Sequence, residues 1–240
     1  MEISVIFPGY NEEASIRETI SRALEALRPR FERFEIIIVD DCGRDATGRI
    51  ADELAAQHPE VVVLHNPRNM GQAESILRGF RQARYQLVTH NAMDYALDLR
   101  DLDRMLPLLA EADIVVAARE QRAGYSTYRK VISHINLAML HCFFGLRLSD
   151  YNFTQLYPKS YLDRVEVISR SAGFVTPELL FRAHDMGLRV KEVKVPYQAR
   201  TTGVATAGNP RIVLASLKDL LRFWWLRLCG QVRPVRSRSE

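Results

Sequence analysis

Long apolar runs are missing from this chain of 240 residues. None approaches the roughly 18–20 residues that a helix needs to cross a bilayer. The first apolar stretch, residues 3–7, is too short for a signal-peptide core, and Glu2 stands where such a peptide has basic residues. Cysteine is scarce. Cys42, Cys142 and Cys229 form no spaced pairs and leave an odd one, which speaks against a disulfide framework and for reduced thiols in a cytoplasmic protein. No Gly-x-Gly-x-x-Gly follows the first apolar segment, which excludes a dinucleotide dehydrogenase, and Pro8-Gly9-Tyr10 is no glycine-rich phosphate loop of a nucleotidyltransferase. Internal repeats and low-complexity linkers are absent too, so the sequence reads as one domain with a C-terminal extension.

What is present is ordinary in amount and uneven in placement. Hydrophobic residues make up 47% and charged residues 26%, values of a soluble globular chain. The net charge of +4 is concentrated at the end, where residues 211–240 hold seven basic side chains against Asp219 and Glu240. The other 210 residues carry 26 basic and 27 acidic groups. A basic tail on a near-neutral body fits an anionic surface. Without aromatics interleaved among basic motifs it does not read as a nucleic-acid binder.

Periodicity predicts strands over residues 3–7, 35–39, 61–64, 86–89 and 113–118, each nearly all apolar. Helices are predicted between them, from residue 11 or 12 to Pro29, over 45–57, over 72–84 and over 99–110. Nearly continuous apolar strands alternating with helices imply a mostly parallel central sheet covered on both faces, an α/β fold. Beyond residue 118 the pattern changes to a long helix over 125–144, a strand over 152–157, a helix over 174–186 closed by Gly187, and a strand over 189–196. A last helix follows Pro210. On a helical wheel Val213, Leu217, Leu220, Leu221, Trp224 and Leu228 share one face, with Leu214 and Trp225 at its edge and Arg211, Lys218 and Arg222 on the other side. Such a stripe lies on a membrane surface, or packs on the domain or on a second copy in a homodimer.

Three segments carry candidate chemistry. Pro8-Gly-Tyr-Asn-Glu12 puts an aromatic and a carboxylate after the first strand, where a base and a ribose can be held. Asp40-Asp41-Cys-Gly-Arg-Asp-Ala-Thr47 follows the second strand, with Asp45 placed to cap a helix and two acids beyond what capping needs. Asn69-Met-Gly71 opens a helix with Gly79 and Ala83 on one face. In this order and spacing they resemble glycosyltransferase family 2 with the GT-A fold. The likeness is nearest the branch of dolichyl-phosphate mannose synthase and the bacterial polyprenyl-phosphate glycosyltransferases. The resemblance covers nearly the whole chain and divides it into residues 1–209, the GT-A domain, and 210–240, an amphipathic helix and basic tail. Within the domain it assigns 1–118 to the nucleotide half and 119–209 to the acceptor half.

The resemblance implies inverting transfer of a sugar from a UDP- or GDP-linked donor to an acceptor, with polyprenyl phosphate favoured. A soluble small-molecule or glycan acceptor, or a catalytically silent nucleotide-binding domain, are the alternatives. It assigns the donor to Pro8, Tyr10, Glu12, Asp40, Asp41, Asn69, Gly71 and the triplet Ala92-Met93-Asp94. In the family that triplet is Asp-x-Asp and chelates Mg²⁺ or Mn²⁺. Here Ala92 replaces the first acid, leaving Asp94 as metal ligand with help from Asp98 or Asn91. It also implies that Arg119 and Arg129 offset leaving-group charge. Arg129, Ser133 and Asn136 match an Arg-x-x-x-Ser-x-x-Asn pattern on the acceptor side. Arg200-Thr-Thr-Gly203 matches a phosphate-binding loop whose Ser and Lys are here Ala205 and Thr206. Asp150 precedes the acceptor-side strand as a general base or loop organiser, and Thr154-Gln155 stands where many members have Gly-Phe. His90, His134 and His141 lack partners at metal-ligand spacing and read as structural. The reduced thiols imply the cytoplasm, and membrane-surface contact through residues 211–229 would make the protein peripheral on the inner face of the membrane.

Overall fold

Glu2–Gly9 forms β1, and its alternate side chains go to opposite faces: Ile3, Val5 and Phe7 to one apolar layer, Ile6 to the other. Arg33–Asp40 (β2) does the same with Ile36 and Ile38 against Ile37 and Val39, and Ile114–Arg119 (β5) with Val115 and Ala117 against Ile114 and Val116. A strand buried on both faces needs a cover on each side, which is why the sequence runs are almost unbroken. The computed structural model describes residues 1–120, 127–196 and 210–232, with the side chains of 127–132 and of 210 outside that description.

The remaining strands are Val61–His65 (β3), Leu87–His90 (β4), Thr154–Pro158 (β6) and Val190–Val195 (β7). The seven strands lie in the order β3-β2-β1-β4-β6-β5-β7. All are parallel except β6, which runs against both β4 and β5. The sheet is covered by Ile16–Leu27 (α1), Thr47–Gln57 (α2), Gln72–Gln82 (α3), Leu102–Met105 (α4), Thr127–Phe144 (α5), Lys159–Leu162 (α6), Val175–Asp185 (α7) and Pro210–Leu228 (α8). Residues of α1, α2 and α4 join one apolar layer, and residues of α3, α5, α6, α7 and α8 the other.

Several boundaries differ from the sequence reading for local reasons. The first helix starts at Ile16, not at residue 11 or 12, because Asn11 has φ of +56° and Glu12 to Ser15 form a turn. Asp45 does not cap α2 directly: its Oδ1 accepts from the backbone N–H and hydroxyl of Thr47, a short turn ahead of the helix. Residues 99–110 break into Leu99–Asp101 and Leu106–Ala110, both 3₁₀, around the short α4. Pro107 sits in the first turn of the second 3₁₀ segment, where its missing N–H interrupts an α ladder.

The C-terminal helix packs with only half of its surface. Leu220 and Phe223 are buried, Phe223 lies near the rings of Phe144 and Phe174, and Trp224 lies 5.1 Å from the ring of Phe143. Arg227 donates two hydrogen bonds to Asp185 at 2.7 and 2.6 Å. Leu214, Leu217, Leu221, Trp225 and Leu228 face outward, with Leu214 67% and Trp225 62% exposed. The single stripe drawn on the wheel is thus two: Leu220 and Trp224 belong with Phe223 on the body side, and the other leucines belong with Trp225 outside.

Candidate functional site

The antiparallel β6 decides where the chemistry gathers. It brings residues 150–153, just before its first residue, to the same edge as the carboxyl ends of β1, β2, β4 and β5. β1 is flanked by β2 on one side and β4 on the other, a topological switch point of the kind where ligands bind in open α/β sheets.

Around Gly9 the loops after β1, β2 and β4 meet. A Cβ at Gly9 would lie 3.2 Å from the Met93 methyl and 3.6 Å from Thr47 Cγ2, so the absent side chain permits the approach. Pro8 fits the last stretch of β1 because β4 pairing ends at Ile6, leaving no strand to receive its missing N–H. The first two loops interlock: Asn11 Oδ1 accepts from Arg44 N at 2.8 Å, Thr47 Oγ1 from Glu12 N at 2.7 Å, and Glu13 from Ala46 N at 2.9 Å. Glu12 itself accepts from the Ser15 hydroxyl at 2.7 Å, which makes it a turn former ahead of α1. Tyr10 is left outward, 43% exposed, as an aromatic surface.

Asp41 is buried and held by the chain through both carboxylate oxygens. Its carboxylate accepts from Asn66 Nδ2 at 2.7 Å, Met70 N at 2.7 Å and Gly71 N at 2.9 Å, the last two N–H groups lying at the start of α3. A carboxylate there meets the positive end of the helix and orders residues 66–71. Gly71 has φ of +85°, which explains glycine at that position, while Asn69 is exposed on the same loop. Asp40 accepts from Gly43 N and pairs with His65 Nδ1 at 3.0 Å, and His65 Nε2 pairs with Asp52 at 2.9 Å. Asp40, then Asp52, raise the His65 pKa above its ordinary value. Asn66 and His65 escaped the motif reading, although both stand directly after or at the end of an apolar strand, where polar loops gather.

The loop over residues 91–98 is tied down by hydrogen bonds. Asn91 uses its amide inside the loop, donating to Leu97 O at 2.8 Å and accepting from Ala92 N and Leu97 N. Thr19 of α1 donates to Met93 O at 2.6 Å, and Tyr95, with Arg22 stacked 4.1 Å over its ring, donates to Arg22 O. Burial pushes the Tyr95 hydroxyl up to about 12, which keeps it a donor. Asp98 caps the next segment through Arg100 N and takes both arms of the Arg100 guanidinium. Asn91 and Asp98, expected as helpers of a metal, are therefore committed to the loop. Among the described residues no three His, Cys, Asp or Glu side chains cluster as a metal cage. One carboxylate, Asp94, remains in the matching triplet, with Ala92 partly exposed and Met93 buried beside it. The non-glycine residues at positive φ among those described are Asn11, Cys42 and Tyr95, one in each of the three loops. Left-handed backbone at Cys42 and Tyr95 costs about 1–3 kcal/mol each and collects where function constrains the chain.

On the acceptor side Arg119, at the end of β5, grips Asp150 through Nε at 2.6 Å and Nη2 at 3.0 Å. Asp150 is buried and also accepts from Asn152 N, and the Arg119 guanidinium lies 5.2 Å from the Phe153 ring. Glu192 of β7 holds the N–H groups of Ser149 and Asp150. Beside the pair lies a cavity of about 40 Å³ lined also by Ser133, Asn136 and Asn152. Arg119, Asp150, Ser133 and Asn136 are thus together, while the Arg129 side chain and Arg200 lie outside the described residues. Gln155, at the position where many family members have Gly-Phe, is buried and donates to Tyr151 O at 3.0 Å. Of the histidines, His141 lies 3.0 Å from Leu148 O, His134 is exposed, and His90 is buried with burial pushing it down to about 4.

Residues 4–171 match the sequence profile of glycosyl transferase family 2. The chain belongs to that family. Among curated relatives, the undecaprenyl-phosphate mannosyltransferase of Micrococcus luteus is 29% identical over 214 residues, 85% of this chain and 86% of that one. An undecaprenyl-phosphate 4-deoxy-4-formamido-L-arabinose transferase of Pseudomonas fluorescens is 30% identical, covering 88% of this chain and 62% of its own length. Glycosyltransferase AglD of Haloferax volcanii is 26% identical over 94% of this chain, which spans 37% of that protein. Among solved structures, mannosyl-3-phosphoglycerate synthase from Rubrobacter xylanophilus superposes with a TM-score of 0.71 at 16% identity, over 100% of this chain and 78% of that one. Glucosyl-3-phosphoglycerate synthase from Mycobacterium tuberculosis, crystallised with Mn²⁺, UDP-glucose and phosphoglyceric acid, gives 0.71 at 18% identity, over 93% and 80%. The family 2 chain therefore has the GT-A fold, as its motifs implied.

Proposed function

We propose that this chain transfers a sugar, with inversion, from a nucleoside-diphosphate donor to a polyprenyl phosphate. The observation that carries the acceptor choice is Asp150. A sugar hydroxyl needs a base at hydrogen-bond distance, and the candidate base is buried and held by both arms of Arg119. A lipid phosphate is anionic near neutral pH and attacks without deprotonation. Its oxygen forms a bond to the anomeric carbon while the bond from that carbon to the donor's β-phosphate oxygen breaks, releasing the nucleoside diphosphate. The names of the Micrococcus and Pseudomonas relatives agree with such an acceptor.

In this reading Tyr10 offers its exposed face to the base, and Asp40 and Asp41 shape the donor pocket by fixing residues 43 and 66–71. Arg119 and Asp150 are positioning residues that hold the acceptor turn, with Ser133 beside them and Arg129 and Arg200 as further acceptor contacts. Asp94 would hold a divalent cation jointly with the donor's phosphate oxygens, since Mg²⁺ is commonly bound through one or two carboxylates plus substrate phosphates. When bound, the ion supplies compensation for the charge leaving on the diphosphate. Outward Leu214, Leu217, Leu221, Trp225 and Leu228 lie on the membrane that carries the acceptor.

The test is transfer from UDP- and GDP-sugars to undecaprenyl phosphate and, in parallel, to phosphorylated and unphosphorylated soluble acceptors. Product on the lipid phosphate is expected, and Mn²⁺ should raise the melting temperature only when nucleotide is also present. Asp150→Asn should lower kcat about tenfold or more through the lost ion pair. It should leave the pH–rate profile in the same shape, whereas loss of the profile's acidic limb would make Asp150 the base and point to a hydroxyl acceptor.

A further inference from the structure

A second concave site lies away from the sheet edge, between the loop before α7 and the outer side of α8. It is an open cavity of about 460 Å³ lined by Arg170, Ser171, Ala215, Lys218, Asp219 and Arg222. Three of the six are cations, all exposed, and none is paired with a carboxylate among the described residues. The single acid is engaged elsewhere: Asp219 Oδ2 accepts from Arg170 N at 3.0 Å and Ser171 N at 2.8 Å, which fixes the loop against the helix. Close packing at Gly173 holds the two walls together, since a Cβ there would fall 2.3 Å from Ser216 Oγ. Ser171 also lines the cavity, and its Oγ, itself buried, has no hydrogen-bond partner among the described residues.

The geometry points to a binding site for the phosphate of an anionic glycerophospholipid headgroup, formed by Arg170, Ser171, Lys218 and Arg222. Three cations and a hydroxyl donor around one cavity match a phosphodiester, which presents negative oxygens and no donors. The bilayer source follows from the rest of the helix. Lys218 and Arg222 follow Arg211 at steps of seven and four residues, one row along α8. The outward stripe of Leu214, Leu217, Leu221, Trp225 and Leu228 runs beside that row. With the stripe at acyl-chain depth, the row and its cavity sit at headgroup level, the arrangement of interfacial helices on anionic lipid. The proposal rests on the membrane-facing reading of α8 and adds to it a discrete headgroup site.

Sedimentation with vesicles separates the two. Full-length protein should bind vesicles of phosphatidylcholine with about 30% phosphatidylglycerol far more tightly than phosphatidylcholine alone, by about fivefold for each cation that engages. Lys218→Ala and Arg222→Ala should each remove about fivefold of the phosphatidylglycerol preference and leave weak phosphatidylcholine binding unchanged. Ser171→Ala, which changes no charge, should also cost about fivefold, because a hydrogen bond to a charged group is lost. Unchanged binding of Ser171→Ala beside weakened cation variants would mean diffuse attraction and would overturn the site while sparing the membrane reading. If wild-type protein ignored both vesicles but was stabilised against heating by inorganic phosphate, the lipid source would be wrong. Each variant's melting temperature in buffer, expected to match wild type, shows that it is folded.

Discussion

At the scale of single residues, the functional groups of this chain differ mainly in whether the fold has already spent them. Asp41, Asn91 and Asp98 look like ligand-facing polar groups in sequence, yet each is consumed by backbone N–H groups or an arginine of its own neighbourhood. Tyr10 and Asn69 stay outward. His90 gives a residue-level prediction. Burial lowers its pKa from 6.5 to about 4, so the folded state resists its protonation. A histidine whose folded pKa is depressed lends full stability above its unfolded value and loses it as pH falls from about 6.5 toward 4. The loss should approach about 3 kcal/mol at the acid end of that window. Urea unfolding of wild type and His90→Gln between pH 7 and 4 checks it: the variant's stability should fall less over this interval. His65 has the opposite sign, since Asp40 and Asp52 raise its pKa and its contribution fades as pH rises through the raised value.

At the scale of elements, α3 packs closely on β1. A Cβ on Gly79 would lie 2.5 and 2.7 Å from the Ile6 γ carbons, and Ile6 is fully buried in a central strand. Gly79→Ala gains about 1 kcal/mol of helix propensity. It should lose more than that to overpacking, which costs about 1–3 kcal/mol or above when neighbours cannot yield. The expected result is a melting temperature lowered by a few degrees, and a smaller penalty in an Ile6→Ala background because the two sites are in contact. The small-residue signal in the motif Asn69 to Gly79 was legible as close packing. What it packs on, and that the two residues just ahead of the helix give their N–H groups to Asp41, was not.

At the scale of the whole molecule, α8 serves two surfaces at once. Deleting residues 210–240 would strip Leu220 and Phe223 from the layer that also holds Phe144, Phe174 and Phe181, and would confuse folding with membrane contact. Replacing Leu221 and Trp225 by Gln changes only the outward side. Surface substitutions of this kind move stability by about 0.5 kcal/mol or less. The double variant should therefore melt like wild type and use detergent-dispersed acceptor equally well. It should lose most of its transfer to acceptor embedded in vesicles. Equal rates on embedded acceptor would remove the stripe from the acceptor reading.

The sequence by itself determined the alternation of strands and helices, the mostly parallel sheet covered on both faces and the family's loop motifs, because periodicity and turn chemistry are properties of near neighbours. It misplaced the start of α1 and the continuity of residues 99–110, where Asn11 adopts left-handed backbone and Pro107 breaks a ladder. Only the tertiary structure decided which polar groups remain available. Arg119 meets Asp150 across 31 positions because β6 returns antiparallel between β4 and β5, and the apolar residues of α8 divide between core and outside because the end of α5 and the loop before α7 cover one half. A side chain's partner is set by where the chain comes back, and that is a property of the packed whole.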